Sequence, residues 1–298
     1  MEYTQKNIDK CPICNSESKK AFLSCKDNTV SKLIFELQEC NDCGFVFTSP
    51  RPQNSDLGKF YESDEYISHS NTKKGIVSRL YQFVRNKTLR QKRDLINSRQ
   101  SKGALLDIGC GTGEFANTMK LDGWNVRGIE PGEKAREAGR TNYGLDVQPE
   151  EALAQIPESS MDVITMWHVL EHVPDLRGRV QELSNILKDN GLLIVAVPNR
   201  ASHDAAYYGA DWAAYDVPRH LWHFRPQDIK GLFAQFGFEV KETLPMRYDS
   251  YYVSMLSEKY KTGSVNYMAA FRLGWSSNSK AGKEAWSSQI YVIRKKAK

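Results

Sequence analysis

Long apolar runs are missing from this 298-residue chain. The longest, Gly191-Leu192-Leu193-Ile194-Val195-Ala196-Val197, falls far short of the about 20 residues a helix needs to cross a bilayer. The first residues, Met1-Glu2-Tyr3-Thr4-Gln5-Lys6, lack the apolar segment of a secretory leader, so a cytoplasmic protein is expected. Acidic residues are nearly absent between 73 and 102, where Asp94 stands alone among ten lysines and arginines. Cysteine is just as unevenly spread: five of the six lie in the first 43 residues, and Cys110 alone lies beyond. Internal repeats and low-complexity tracts are also lacking, which excludes a solenoid or a compositionally biased chain.

What is present suits a folded protein. Hydrophobic residues make up 40% and aromatics 11%, enough for a substantial core, and the length fits two domains. The net charge of +5 is too mild to imply a partner. The concentration of cations in 73–102 instead places a basic helical segment on a mildly acidic body. In that stretch Ile76, Leu80, Phe83 and Val84 share one helical stripe.

The clustered cysteines form two C-x-x-C pairs, Cys11-Pro12-Ile13-Cys14 and Cys40-Asn41-Asp42-Cys43, with Gly44 relieving the second turn. In a chain without a visible leader such clustering favours metal over disulfides. Four thiolates close a tetrahedral zinc site with no open position, so its role is structural. Cys25 reads as a bystander.

Three regions follow: a zinc ribbon over 1–50, a linker and basic amphipathic helix over 51–102 that includes Phe60, Tyr61 and Tyr66, and a larger unit over 103–298. In the last, strand patterns at 104–108, 125–130, 161–167, 191–197, 238–244 and 289–294 alternate with helical ones at 114–121, 134–143, 176–188 and 226–236. Such alternation predicts a doubly wound α/β sheet. Two segments rich in Tyr, Trp and His, at about 199–225 and 247–286, interrupt it. They form an aromatic lid beyond the carboxyl ends of the strands, where these sheets bind ligands.

The run Leu105-Leu106-Asp107-Ile108-Gly109-Cys110-Gly111-Thr112-Gly113-Glu114 reads as buried strand, glycine turn and helix start. Its G-x-G-x-G spacing differs from the G-x-G-x-x-G turn that seats a pyrophosphate, and Glu114 would repel phosphate. Glu130, at the tip of the next strand, is suited to accept hydrogen bonds from both hydroxyls of a ribose. Together they point to an unphosphorylated nucleoside with a charged amino-acid tail.

On these residues and on 161–175 (Met161-Asp162-Val163-Ile164-Thr165-Met166-Trp167-His168-Val169-Leu170-Glu171-His172-Val173-Pro174-Asp175) the chain resembles class I S-adenosylmethionine-dependent methyltransferases of types 11, 12 and 23 over about 103–245. The resemblance implies a seven-stranded Rossmann-like sheet whose reversed terminal hairpin inserts 289–294. It implies S-adenosylmethionine as cofactor, with Gly109, Cys110, Gly111 and Gly113 facing its methionine part and Asp107 organising the turn and the amino group. Glu130, with Pro131, would hold the ribose, and adenine would lie near Pro149, Glu150 and Glu151. Trp167 and His168 would border the sulfonium.

His168-Val169-Leu170-Glu171-His172 also matches an inverted zinc-protease motif, but it begins at a strand end, not on a helix. Quinone-biosynthesis O-methyltransferases resemble this segment and use two glutamates and a histidine there for a divalent cation. Glu171 and His172 match, while His168 stands where the first glutamate would be. Arg219-His220-Leu221-Trp222-His223-Phe224 resembles segments that lie over the active site in small-molecule members of the family. Histidine titrates near neutrality, so His168, His172, His220 and His223 are the acid–base candidates.

The expected reaction is methyl transfer to oxygen or nitrogen of a small-molecule, lipid or saccharide acceptor. The layout resembles bacterial methyltransferases of surface-polysaccharide, lipid or secondary metabolism. An RNA acceptor, with the ribbon and basic helix binding phosphates, is disfavoured because the fourth strand ends in Met166-Trp167-His168 without the Asn/Asp-Pro-Pro-aromatic motif of base methylation. A non-catalytic binding module is disfavoured by the intact glycines and Glu130. Residues 73–102 could also contact an anionic surface.

Overall fold

A computed structural model describes residues 2–61 and 76–296, with the backbone alone described over 76–81. Tyr66, Lys73 and Lys74 lie outside the described residues, as do the side chains of Ile76, Arg79 and Leu80.

The chain opens with β1 (Gln5–Lys6), followed by an antiparallel ribbon of β2 (Lys19–Lys26), β3 (Ile34–Cys40) and β4 (Val46–Thr48). The next strand, β5 (Arg51–Pro52), returns to pair with β1. The basic segment forms α1 (Ile76–Asn97). Then come β6 (Ala104–Ile108), α2 (Glu114–Leu121), β7 (Asn125–Ile129), α3 (Glu133–Tyr143), β8 (Asp146–Gln148) and β9 (Met161–Trp167). The chain continues through α4 (Leu176–Ile186), β10 (Leu187–Pro198), α5 (His203–Tyr208), β11 (Trp222–His223), α6 (Pro226–Ala234) and β12 (Phe238–Pro245). It closes with α7 (Asp249–Thr262), α8 (Tyr267–Lys280) and β13 (Ser288–Lys295).

Seven strands form the main sheet in the order β12-β13-β10-β9-β6-β7-β8. All pairs are parallel except those of β13, which lies antiparallel between β10 and β12. This is the expected Rossmann-like methyltransferase sheet with its reversed hairpin. From Leu192 to Val197 every residue of β10 is buried, as a central strand covered on both faces requires. Two local expectations change. The helix expected over 176–188 ends at Ile186, because Leu187 is drawn into the sheet opposite Met161 and a bulge follows before Leu192. Edge strand β8 carries no periodic signal, since Val147 is its one fully buried residue. Among the described residues no helix is long and apolar enough to cross a membrane.

The ribbon is built into the body of the protein. Two residues of the 199–225 segment, Trp222 and His223, form the fourth strand of its sheet, opposite Phe47 and Val46. Phe45 packs on Trp222 and Phe224, with ring centroids 6.3 and 5.5 Å away. Cys11, Cys40, Phe45 and Phe47 thereby share one buried core with Leu183, Ile229, Leu232 and Tyr291.

Arg219 locks this junction. Its guanidinium is 1% exposed and reaches Asp27 Oδ1 of the ribbon hairpin at 3.1 Å and Asp216 Oδ1 at 2.6 Å. It also donates to the Phe60 carbonyl at 3.0 Å. Asp27 in turn accepts bonds from the amides of Thr29, Val30 and Ser31 and from the hydroxyls of Thr29 and Ser31. Burial alone would raise the Asp27 carboxyl; Arg219 and the Ser31 bonds outweigh it and hold the group well below the usual carboxylate range. Asp27→Asn would leave Arg219 with Asp216 as its only carboxylate and take the charge from the acceptor that the hairpin amides share, so it should cost about 1.5–3 kcal/mol in denaturant unfolding at neutral pH. The folded-state pKa lies below the unfolded value of about 4, so this stabilisation exists above that pH and is lost as pH falls through the acid range. The variant's stability should therefore decline less on acidification than the parent's.

Candidate active site

The turn after β6 is held by its glycines. Gly109 and Gly111 have φ of 68° and 55°. A Cβ on Gly109 would lie 2.4 Å from Val169 Cγ2, so the strand and the loop after β9 need glycine to approach. A Cβ on Gly111 would meet nothing within 4 Å. That open space is the cradle a ligand can fill.

Glu130 follows β7 and accepts from the Gly111 amide at 2.9 Å and the Gly132 amide at 2.8 Å. Each of its oxygens keeps a second lone pair, enough for two hydroxyl donors. Asp107 lies buried beneath the turn, accepts from the Thr165 hydroxyl at 2.6 Å, and is pushed up to about 7 by burial. Trp167, at the tip of β9, packs edge-on against Phe115, and its buried Nε1 has no hydrogen-bond partner. An orphaned buried donor at the tip of β9 and open space over the Gly111 turn both fit a site made for a bound group.

Beyond the tip of β9 three histidines take opposite characters. His168 adopts a left-handed φ of 58°. Its Nε2 lies 3.0 Å from Asp249 Oδ2 and its Nδ1 3.4 Å from Glu171 Oε1. Burial pushes its pKa down, but the two carboxylates prevail and raise it to about 10, so the ring is an imidazolium at neutral pH. His172 is the reverse: burial, with His220 adding to it, lowers it to about 4. Its Nδ1 lies 3.1 Å from the Arg219 carbonyl and 2.9 Å from the Tyr61 hydroxyl. A carbonyl can only accept, so the hydrogen sits on Nδ1 and Nε2 keeps a lone pair. His220 Nδ1 donates likewise to the Ala214 carbonyl at 2.8 Å, and its ring meets that of His172 edge-on with centroids 4.5 Å apart. Neither oxygen of the buried Glu171 has a hydrogen-bond partner, although one faces His168. One donor atom from each of Glu171, His172 and His220 lies within 4.8 Å of the other two.

This arrangement stands on a stretch that matches known proteins. Residues 80–243 match the family described as a methyltransferase domain. The chain belongs to this methyltransferase family. It is an S-adenosylmethionine-dependent enzyme of class I. Relatives include the ubiquinone biosynthesis O-methyltransferase of Cupriavidus pinatubonensis, 31% identical over 56% of this chain and 72% of that protein. The enzyme of the same name from Neisseria meningitidis serogroup C is 31% identical over 56% and 76%. A candidate sarcosine dimethylglycine methyltransferase structure from Galdieria sulphuraria shares the fold at TM-score 0.50 and 14% identity, over 73% of this chain and 87% of that one.

The methyltransferase disposes its other sequence candidates variously. Gly113, also at positive φ, ends the turn before α2, and Cys110 is a half-buried thiol raised by burial and the neighbouring carboxylates, hence protonated. Pro131 is exposed, and its carbonyl accepts from Arg136 at 2.6 Å. Pro149 precedes a short helical turn in which Glu150 pairs with Arg179 and Glu151 is exposed. His223 stands apart from the other three: its Nε2 lies 3.0 Å from the Thr48 hydroxyl in the ribbon sheet, and burial, with His220 and Arg200, drives its pKa well below the ordinary value. In the ribbon, Cys11 and Cys43 Sγ are 3.5 Å apart, as are Cys14 and Cys40 Sγ, and all four lie within 4.8 Å of one another. Cys25 packs in a separate cluster with Phe35 and Leu37.

Two residues of the centre escaped the sequence reading. Asp249 comes from the second lid segment, some eighty positions from His168 (249 against 168), and no local spacing links them. Lys92 was one cation among ten. Its Nζ lies 4.0 Å from the Trp167 ring centroid, and burial lowers it to about 8 against the pull of Asp107 and Asp249. The signal was its position: Leu89, Lys92 and Ile96 share the inward stripe of α1. For the methyltransferase, calorimetry with S-adenosylhomocysteine should show Glu130→Ala weakening binding by at least about tenfold. Lys92→Met should remove the part of the affinity that is present below pH 8 and falls away as the amine deprotonates.

Proposed function

We propose that this methyltransferase alkylates a hydroxyl oxygen of a small-molecule acceptor held at the tip of β9. The observation that carries the reading is the neutral His172, its hydrogen fixed on Nδ1 by the Arg219 carbonyl, beside the cationic His168. A ring nitrogen that is unprotonated at neutral pH can accept a hydroxyl proton, although burial leaves it a weaker base than free imidazole. The curated relatives are named for O-methylation in ubiquinone biosynthesis, which supports oxygen as the acceptor atom and a small molecule over RNA. S-adenosylmethionine supplies a methyl carbon already activated by its sulfonium. The chain's own residues bind and align: the glycine turn and Glu130 hold the nucleoside, Asp107 faces the amino group, and Lys92 supplies the cation for the carboxylate. His168, clamped between Asp249 and Glu171, orients the tip and contributes no free base.

A second reading of the same side chains has its own support. The buried Glu171 carboxylate, which faces His168 but accepts no hydrogen bond, forms with His172 and His220 a donor set that fits a divalent cation, and each ring is oriented through Nδ1 by a backbone carbonyl. A cation there would lower the pKa of an acceptor hydroxyl. The four cysteines fit a structural zinc, and the six unpaired thiols suit a reducing compartment such as the cytoplasm.

His172→Ala should lower kcat by about a hundredfold or more while S-adenosylhomocysteine binding stays unchanged. The same loss in the unaltered enzyme after dialysis against EDTA, reversed by magnesium or manganese, would favour the cation reading; full activity without added metal would favour the base. Elemental analysis should find one zinc per chain, and stripping it should lower the melting temperature, with Cys14→Ser giving the same shift.

A further inference from the structure

Helix α8 is built inside out. Its buried stripe is Ala270, Gly274 and Ser277. Its largest side chains face solvent: Tyr267, Met268, Phe271 and Trp275 are 66%, 71%, 64% and 62% exposed. Small residues on the inner face let α8 approach α7 closely, and a Cβ on Gly274 would lie 2.8 Å from Tyr251 Cδ1 and 3.0 Å from its Cα. That packing explains the inner face and leaves the outer one unexplained. Phe271 stacks on Tyr251, centroids 5.3 Å apart, so the aromatic surface continues onto α7. Contiguous apolar surface of this kind marks a contact.

The charge around it selects the partner. On α8 itself the charges are Arg272 and Lys280, both exposed, and Lys261 lies in the last turn of α7; the exposed acid Glu284 beyond α8 is paired with Lys230. Glu258 of α7 is buried and accepts from the Tyr208 hydroxyl at 2.9 Å. A symmetric contact with a second copy would bring two such cationic sets together. Exposed aromatic side chains on a helix whose own charges, Arg272 and Lys280, are cationic instead suit the headgroup boundary of an anionic bilayer, where rings enter the interface and cations meet phosphate.

We propose that the outer face of α8, with the adjoining end of α7, docks this protein onto an anionic phospholipid surface. This face is formed by residues other than those of the 73–102 segment. It lies close to the reaction centre, because Tyr251 is two positions from Asp249, whose carboxylate holds His168. Docking requires no methyl transfer, so its test stands apart from the reading of the active site.

The test is sedimentation of the full chain with vesicles of phosphatidylcholine alone and of phosphatidylcholine mixed with phosphatidylglycerol. The protein should sediment with the mixed vesicles, less so as salt rises, and stay in solution with the neutral ones. The double variant Phe271→Ser with Trp275→Ser should bind the mixed vesicles about tenfold less tightly or worse, and Arg272→Glu should weaken binding severalfold, both with unchanged circular dichroism and S-adenosylhomocysteine affinity. Absence of binding to mixed vesicles would overturn the proposal, as would undiminished binding by the double variant. A concentration-dependent dimer in ultracentrifugation, abolished by the same substitutions, would assign the face to a second copy and also overturn it.

Discussion

The architecture turns on one buried cation. Arg219 is all but excluded from solvent and faces two carboxylates, Asp27 from the ribbon and Asp216 from its own loop. Taking three charges out of water is costly, and such clusters add little net stability over a well-packed apolar alternative. What they provide is geometry. The Arg219 carbonyl fixes the tautomer of His172, and the next residue, His220, completes the cluster at the tip of β9. The N-terminal ribbon therefore helps set the position of groups at the chemical centre, through Asp27 on Arg219 and through the Thr48 hydroxyl, which donates to the His220 carbonyl at 2.9 Å.

Neighbouring histidines in one small volume are driven apart in proton affinity by their surroundings alone. His168 sits between two carboxylates, and His172 faces the Arg219 carbonyl, the Tyr61 hydroxyl and another ring. The outcome is one fixed imidazolium and one neutral imidazole within a single motif, a separation of roles produced by environment. The cation matters for another reason. A sulfonium cofactor would be repelled by a bare imidazolium, and Asp249 with Glu171 leaves the group net negative.

What could be read from the sequence was what is local in it. The glycine turn, Glu130 and the cysteine pairs each declare themselves within a few residues, because backbone conformation and ligand spacing act over that range. The alternation of strands and helices past residue 103 gave the sheet for the same reason. Asp249, Asp27 and Lys92 were invisible as site residues since their partners lie far along the chain. His223 shows the converse. It was a plausible base by residue type, yet two residues of extended chain place it in the ribbon sheet, a pairing no periodicity announces. The end of α4 was misjudged because sheet pairing at Leu187 overrides a helical pattern that runs on through Lys188.

The shared strand also bears on which parts of such a protein can be exchanged. The matched family domain spans 80–243, so Arg219, His220 and β11 fall inside it while Asp27, β4 and Asp249 fall outside. A ribbon transplanted onto another member of the family would find its place only where that protein offers an edge strand like β11 and a cation where Arg219 stands. The ribbon and the 216–224 loop are thus one packing unit split across the chain, and neither half can be exchanged without a partner that matches it.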